Sequence, residues 1–178
     1  MRRLNWGCGP EIRDGWENSD LIDYGHGQQH VGDITAGLPY DDGWFDYAVS
    51  HHVLQMIAWP DLVPTLVELR RVITAVGWLR LSVPSLHAAM NAWARNDRSW
   101  FPIDDRHEES VDGKFCMYVT QAGATRSVFT LGWLLELLGR AGFSTMCPCR
   151  AFETSTGIDD LTALDSRRVE SLYVDARR

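Results

Sequence analysis

The chain has 178 residues, a length at which one domain with a continuous core is expected. Its hydrophobic fraction of 45% and charged fraction of 23% are typical of globular proteins, and no apolar run is long enough to span a bilayer. A formal net charge of −7 disfavours direct binding to nucleic acid, because proteins that bind duplexes usually neutralise phosphates with a basic surface. Four cysteines without a zinc-type spacing, and a first segment without a signal-like apolar stretch, predict a cytoplasmic protein.

The first predicted element is a strand over residues 2–6, which ends at the turn Gly7-Cys8-Gly9. Glycine tolerates positive φ and leaves no Cβ between the backbone and a ligand, and ligands of open α/β sheets bind at such turns. Pro10 can begin a helix, which Gly15 would end within about one turn. Ile12 occupies the position of the third glycine of the nicotinamide fingerprint, which counts against a dehydrogenase.

Three more strands are predicted in the first third of the chain. The second covers residues 16–22, with Asp20 near its carboxyl end, and a weak third strand at 30–32 is followed by Asp33. The fourth, residues 45–50, is apolar enough to be buried on both faces, as parallel strands are. Since ligands of such sheets bind outside the carboxyl ends of the strands, the polar residues at these ends are expected to share a site.

The rest of the chain alternates between helical and strand patterns. Leucines at helical spacing predict a helix over residues 59–73, and a turn is predicted at 74–77 with Gly77 supplying the positive φ. The remaining predicted elements are a strand at 78–83, a helix at 85–96, a helix capped by Thr130 and ended by Gly142, and strands at 143–152 and 171–177.

The order of these motifs resembles that of the class I S-adenosylmethionine-dependent methyltransferases, in particular a compact subgroup like the methyltransferase type 11 proteins. That subgroup opens on Leu-Asn-x-Gly-Cys-Gly, continues with Gly-Trp-x-Asn-x-Asp, and later has Glu-x-x-Arg-Val. The matching segments here are residues 4–9, 15–20, 33–41, 45–54, 68–84, 164–167 and 171–176. The resemblance implies a single domain over 1–178, built as a Rossmann-like three-layer α/β/α sandwich whose mostly parallel sheet has a final antiparallel strand.

The resemblance also implies that the cofactor is S-adenosylmethionine. In the family, an acidic residue in the place of Asp20 accepts hydrogen bonds from both ribose hydroxyls. One in the place of Asp33 accepts from the adenine amino group, while the residue corresponding to Ile34 packs on the ring. The full set of cofactor-binding residues implied in this way is Asn5, Gly7, Cys8, Gly9, Asp20, Leu21, Asp33, Ile34, Ser50 and His51.

The acceptor side is expected in residues 85–130, whose mixed charges and aromatic residues suggest a lid over the cofactor pocket. His51, His52 and His107 are the candidate general bases, since histidine titrates near neutral pH, although His51 and His52 could instead only cap the strand and pack. Asp104, Asp105, His107 and Glu108 could gather a divalent cation, but such clusters more often form a solvated loop face, and no metal site is predicted.

The predicted function is therefore methyl transfer to a hydroxyl, or an amine, of a saccharide or other small metabolite. One alternative is a nucleic-acid or protein methyltransferase whose partner supplies the basic surface. The other is a non-catalytic cofactor-binding protein of the same fold, supported only by Gln55 and the altered turn at 74–77. The sequence leaves the oligomeric state open, with a homodimer as one alternative.

Overall fold

The computed structural model describes residues 1–178. Seven strands form one sheet in the order β3-β2-β1-β4-β5-β7-β6, in which β1 to β5 pair in parallel and β7 runs antiparallel to β5 and β6. This arrangement confirms the predicted Rossmann-like, mostly parallel sheet with a final antiparallel strand. The strands are β1 (Arg3–Trp6), β2 (Glu17–Asp20), β3 (His30–Val31), β4 (Phe45–His51), β5 (Ile73–Pro84), β6 (Thr145–Cys149) and β7 (Ser171–Arg177).

Four α-helices accompany the sheet, and none of them is long and apolar enough to cross a membrane. They are α1 (Leu62–Val72), α2 (Leu86–Ala94), α3 (Val111–Thr120) and α4 (Leu131–Arg140). Leu66 and Leu69 of α1 and Leu134 and Leu138 of α4 are completely buried against one face of the sheet, in the main core. The Thr130 hydroxyl accepts a hydrogen bond from the N–H of Trp133, so it caps α4 as predicted.

The opposite face of the sheet is covered chiefly by non-helical segments. Trp16, from the loop before β2, packs edge-on against Tyr47 of β4. Leu161, in a short 3-10 turn at Asp159–Thr162, joins the same buried cluster. The segment between β6 and β7 therefore crosses the sheet and covers part of this face.

A buried ion network fixes that returning segment. Arg80 of β5 is 1% exposed; its Nε and one terminal nitrogen donate to Asp165 at 2.9 and 2.5 Å, and the other terminal nitrogen donates to Asp175 of β7 at 2.6 Å. Burial alone would lower the pKa of Arg80, but the hydrogen bonds and charges of the two carboxylates raise it overall. Arg80 is thus a permanent cation that holds residue 165 against the sheet.

Two local expectations are wrong. Residues 10–13 form no helix, because the buried side chain of Asn18 accepts from the N–H of Arg13 and donates to the carbonyls of Arg13 and Trp16, which holds the loop open. There is also no turn at 74–77: β5 begins at Ile73, and the φ of Gly77 is not positive. Glycine is needed there because a Cβ would overlap the carbonyl oxygen of Asp46.

We expect Arg80→Ala to lower the free energy of unfolding by about 3–5 kcal/mol, because it leaves two carboxylates buried without their cation. Arg140→Ala, which removes an exposed arginine 3.9 Å from Glu136, is the matched control and should cost less than about 1 kcal/mol. Urea titrations followed by tryptophan fluorescence measure both values. Equal losses in the two variants would contradict a structural function of the buried network.

Candidate functional site

A cleft of about 700 Å³ opens at the carboxyl ends of β1, β2, β3 and β4. Of the residues predicted to bind the cofactor or to act as base, the cleft brings together Gly7, Cys8, Gly9, Asp20, Leu21, Asp33, Ile34, His51 and His52. These residues come from four separate segments of the chain, which are adjacent only because the strands pair in this order. The cleft therefore matches the general position of ligand sites in open α/β sheets.

The turn after β1 has the backbone geometry that its glycines predicted. Gly7 and Gly9 have φ of +72° and +58°, in the left-handed region that favours glycine. The N–H of Gly7 donates to the carbonyl of Ser19 at 2.7 Å, and a Cβ on Gly7 would overlap the side chain of Val53. No atom lies within 4 Å of where a Cβ on Gly9 would be, so the backbone of Gly9 is open to a ligand.

Asp20 joins the ends of β1 and β2. One carboxylate oxygen accepts from the N–H of Gly9 at 2.8 Å, and the other accepts from the N–H of Ile22 at 3.0 Å. A carboxylate oxygen can accept a second hydrogen bond, so both remain available to hydroxyl groups in the cleft. Leu21 and Ile22 are exposed beside it and provide an apolar surface.

Asp33 and Ile34 form the next wall of the cleft. Asp33 Oδ1 accepts from the N–H of Thr35 at 2.9 Å, and hydrogen bonding by Thr35 holds the pKa of Asp33 below its usual value. The second oxygen of Asp33 has no partner within the protein, which leaves it available as an acceptor. Ile34 is 5% exposed and is continuous with the main core, so its side chain is firmly positioned.

Two predicted cofactor residues do not line the cleft. Asn5 is buried, and its side-chain amide donates to Asn18 Oδ1 at 3.0 Å. This side chain therefore helps to hold the loop before β2 in place. Ser50 is 1% exposed, and its hydroxyl has no hydrogen-bond partner. Cys8 does line the cleft, where burial raises the pKa of its thiol to about 11 and keeps it neutral at pH 7.

The predicted histidine pair lies at the end of β4, with ring centroids 4.8 Å apart. The two ring nitrogens of His51 are hydrogen bonded to the hydroxyls of Ser82, at 2.5 Å, and Ser166, at 2.9 Å. His52 has φ of +55° and shares a hydrogen bond of 2.6 Å between Nε2 and the Ser171 hydroxyl.

Both histidines are neutral at pH 7. Burial lowers the pKa of His51. Burial, together with repulsion from His51 and Arg167, lowers the pKa of His52 to about 3. An imidazole in this state can accept a proton but does not carry one before reaction.

A second cavity, of about 340 Å³, adjoins the cleft. His52, Met56 and Arg167 line both spaces, so the two share a wall. The other residues that line this second cavity are Gln55, Pro102, Ile103, Met117, Tyr118, Gln121, Ala122 and Glu170.

His107 is exposed on the loop before α3 and lines neither space. Asp104 and Asp105 on the same loop are paired with Arg106 and Lys114. Sequence reasoning assigned no function to Arg167 or Glu170. Arg167 belongs to the segment 164–167 that resembles the methyltransferase subgroup, whereas Glu170 lies between the two matching segments and had no signal.

Comparisons with known proteins agree with this geometry. Residues 17–81 match the family model described as a methyltransferase domain, whereas no curated protein matches the chain. An S-adenosylmethionine-dependent methyltransferase from Mesorhizobium loti has a similar structure, with a TM-score of 0.61, 20% identity, and coverage of 99% of this chain and 90% of that one.

Two further solved structures are similar to this chain. The 1,6-didemethyltoxoflavin-N1-methyltransferase of Burkholderia thailandensis, solved with its substrate and S-adenosylhomocysteine, has a TM-score of 0.57 and 17% identity over 99% of this chain and 70% of that one. A methyltransferase of Haloferax volcanii, solved with the Trm112 activator, has a TM-score of 0.55 and 14% identity over 99% of this chain and 81% of that one. The match over residues 17–81 and the shared fold agree with the predicted resemblance to methyltransferases and with the predicted fold.

The neutral state of His52 predicts a pH dependence of stability. The unfolded chain binds a proton at this residue near pH 6.5, whereas the folded chain does so only near pH 3. The contribution of His52 to stability is therefore complete above pH 6.5 and is lost as the pH falls below it, by up to about 1.4 kcal/mol per pH unit.

We expect the free energy of unfolding to fall less steeply between pH 6.5 and 4.5 in His52→Asn than in the native chain. Asparagine tolerates the left-handed backbone at this position and does not titrate. Urea titrations at several pH values measure the slopes, with His107→Asn as the control for removing an exposed imidazole. Identical slopes for the native chain and His52→Asn would show that His52 is not held neutral.

Proposed function

We propose that this chain is a class I S-adenosylmethionine-dependent methyltransferase that methylates a hydroxyl, or an amine, of a saccharide or other small metabolite. The observation that carries the proposal is the second cavity, which meets the cleft at His52, Met56 and Arg167. Its volume of about 340 Å³ suits a small molecule, since ligand pockets usually measure about 300–1,000 Å³. The net charge of −7 supports a small acceptor rather than a direct nucleic-acid substrate.

The cleft provides a suitable place for the cofactor. We propose that Gly7, Cys8 and Gly9 pass beneath its methionine part and that Asp20 accepts from its ribose hydroxyls. Asp33 and Ile34 would hold the adenine. Three features support the assignment: the open space at Gly9, the free lone pairs of Asp20, and the unpartnered second oxygen of Asp33.

S-adenosylmethionine supplies an electrophilic methyl group when it is bound. The protein must then hold the acceptor atom in line with that methyl group and exclude water. An acceptor hydroxyl must also lose its proton, and of the three candidate histidines we propose His52 as the group that accepts it. It lines both spaces, and only its Nε2 is engaged by a serine hydroxyl, whereas both nitrogens of His51 are so engaged and His107 lies on an exposed loop.

We also propose that residues 85–130 form the cover of the acceptor cavity within a single domain over 1–178. Helices α2 and α3 pack on each other around Ala89, Ala92, Phe101 and Tyr118 in a cluster separate from the main core. Tyr118 also lines the cavity. A small core of its own would let this region differ in sequence without disturbing the cofactor side.

Calorimetry with S-adenosylmethionine and S-adenosylhomocysteine tests the cofactor site. We expect clear binding by the native chain and at least about tenfold weaker binding by Asp20→Ala, which corresponds to about 1.4 kcal/mol. Asp23→Ala is the matched control, because Asp23 lies three residues after Asp20 but is exposed and does not line the cleft. Absence of binding by the folded native chain would contradict the proposed function.

Steady-state methylation of an acceptor found by screening tests the proposed base. For a hydroxyl acceptor we expect His52→Asn to lower kcat by at least about tenfold, which is less than the roughly 10²–10⁴-fold of a base with a pKa near the working pH, because the pKa of His52 is about 3. His107→Asn should leave kcat close to the native value. The assignment would be wrong if the larger loss came from His107→Asn.

A further inference from the structure

The side chains that line the cleft carry more negative than positive charge. The lining includes four carboxylates and two arginines, and His51 and His52 are neutral at pH 7. The carboxylates are those of Glu11, Asp20, Asp33 and Asp61. Because like charges repel, an anionic group of a ligand is disfavoured in this cleft unless a cation of the protein lies beside it.

The two arginines of the cleft differ in their partners. Arg167 is paired with Glu170 at 3.0 Å, and it lines the second cavity as well as the cleft. Arg126 lines the cleft but not the second cavity, and its exposed guanidinium forms no hydrogen bond or ion pair within the chain. All of its N–H donors are therefore free for a ligand.

The backbone of Arg126 is held in place although its side chain is exposed. Its N–H donates to the carbonyl of Gln55 at 2.9 Å, and the N–H of Ser127 donates to the same carbonyl at 3.1 Å. The Ser127 hydroxyl donates to the carbonyl of Ile57 at 2.9 Å. Three hydrogen bonds thus attach Arg126 and its neighbour to residues 54–57, the turn that follows β4.

The strand order places this turn at one end of the proposed cofactor site. The cleft lies at the carboxyl ends of β3, β2, β1 and β4, which are neighbours in that order. In the proposed function, Asp33 after β3 holds the adenine, Asp20 of β2 holds the ribose, and the glycine turn after β1 lies beneath the methionine part. The next strand in this direction is β4. A cofactor laid out in this order has its methionine end toward β4 and toward Arg126.

We infer that Arg126 binds the α-carboxylate of S-adenosylmethionine and of S-adenosylhomocysteine. This inference rests on the proposed function and adds a binding residue for the cofactor to it. A planar guanidinium matches a carboxylate with two parallel N–H···O bonds, and such charge-assisted bonds are stronger than neutral ones. The pair offsets the repulsion that the carboxylates of the cleft exert on the carboxylate of the cofactor. The same carboxylates attract the α-ammonium group, which therefore needs no cation beside it.

Calorimetry with S-adenosylmethionine and its decarboxylated analogue tests the inference, because the two ligands differ only in the carboxylate. We expect Arg126→Met to weaken binding of S-adenosylmethionine by at least about tenfold, as expected for the loss of hydrogen bonds between charged groups. The affinity for the decarboxylated analogue should be unchanged in this variant. Arg126→Lys keeps the charge without the planar fork and should recover part of the loss.

Two further variants serve as controls. Arg168→Met also removes an exposed arginine without an ion pair, but Arg168 lines neither the cleft nor the second cavity, so this variant should bind both ligands like the native chain. Arg167→Met should weaken binding of S-adenosylmethionine less than Arg126→Met does, since Arg167 is already paired with Glu170. Unfolding temperatures close to the native value verify that each variant is folded.

Three results would overturn the inference while the native chain binds S-adenosylmethionine. They are an unchanged affinity in Arg126→Met, an equal weakening of both ligands in that variant, and a larger carboxylate-dependent loss in Arg167→Met. Failure of the native chain to bind either S-adenosylmethionine or S-adenosylhomocysteine would instead contradict the proposed function, so the two failures are distinguishable.

Discussion

Arg80 lies on β5, and its side chain pairs with Asp165 and Asp175 on the face of the sheet opposite the main core. All three side chains are almost completely excluded from solvent, so an alternative position of residue 165 would leave a charge buried without its partner, at a cost of several kcal/mol. The segment after β6 is therefore confined to one path across the sheet. That path delivers the next two residues, Ser166 and Arg167, to the edge of the cleft.

The same constraint sets the chemistry of the histidines. Ser166, adjacent to the buried Asp165, is hydrogen bonded to one nitrogen of His51, while Ser171 at the start of β7 is hydrogen bonded to His52. The returning segment thus buries both rings and supplies hydroxyls that stabilise their neutral forms, since a hydroxyl can donate to one imidazole nitrogen or accept from another. Burial is the main cause of the lowered pKa of each histidine. The ion network therefore helps to keep His51 and His52 neutral, because it positions the segment that packs against them.

Much of the lining of the cleft could be predicted from the sequence, because each strand end carries a local signal. The glycines after β1 and the aspartates at Asp20 and Asp33 lie at the carboxyl ends of neighbouring strands, so a correct strand order was enough to bring them together. The helix predicted at 10–13 is absent because a side chain outside that segment replaced the local preference. Asn18 holds the loop before β2 open and also accepts a hydrogen bond from Asn5.

The second cavity could not be predicted in this way, since Gln55 and Glu170 in its wall are more than a hundred residues apart and neither belongs to a periodic pattern. The backbone along this wall also departs from the common conformations. Five non-glycine residues have left-handed φ, and three of them, His52, Gln121 and Ala122, line the second cavity. Each such residue costs about 1–3 kcal/mol and persists only where the surrounding structure enforces it. Gln121 and Ala122 lie where α3 ends, and a left-handed residue commonly closes a helix, so the strain at His52 is the part that the end of the helix does not explain.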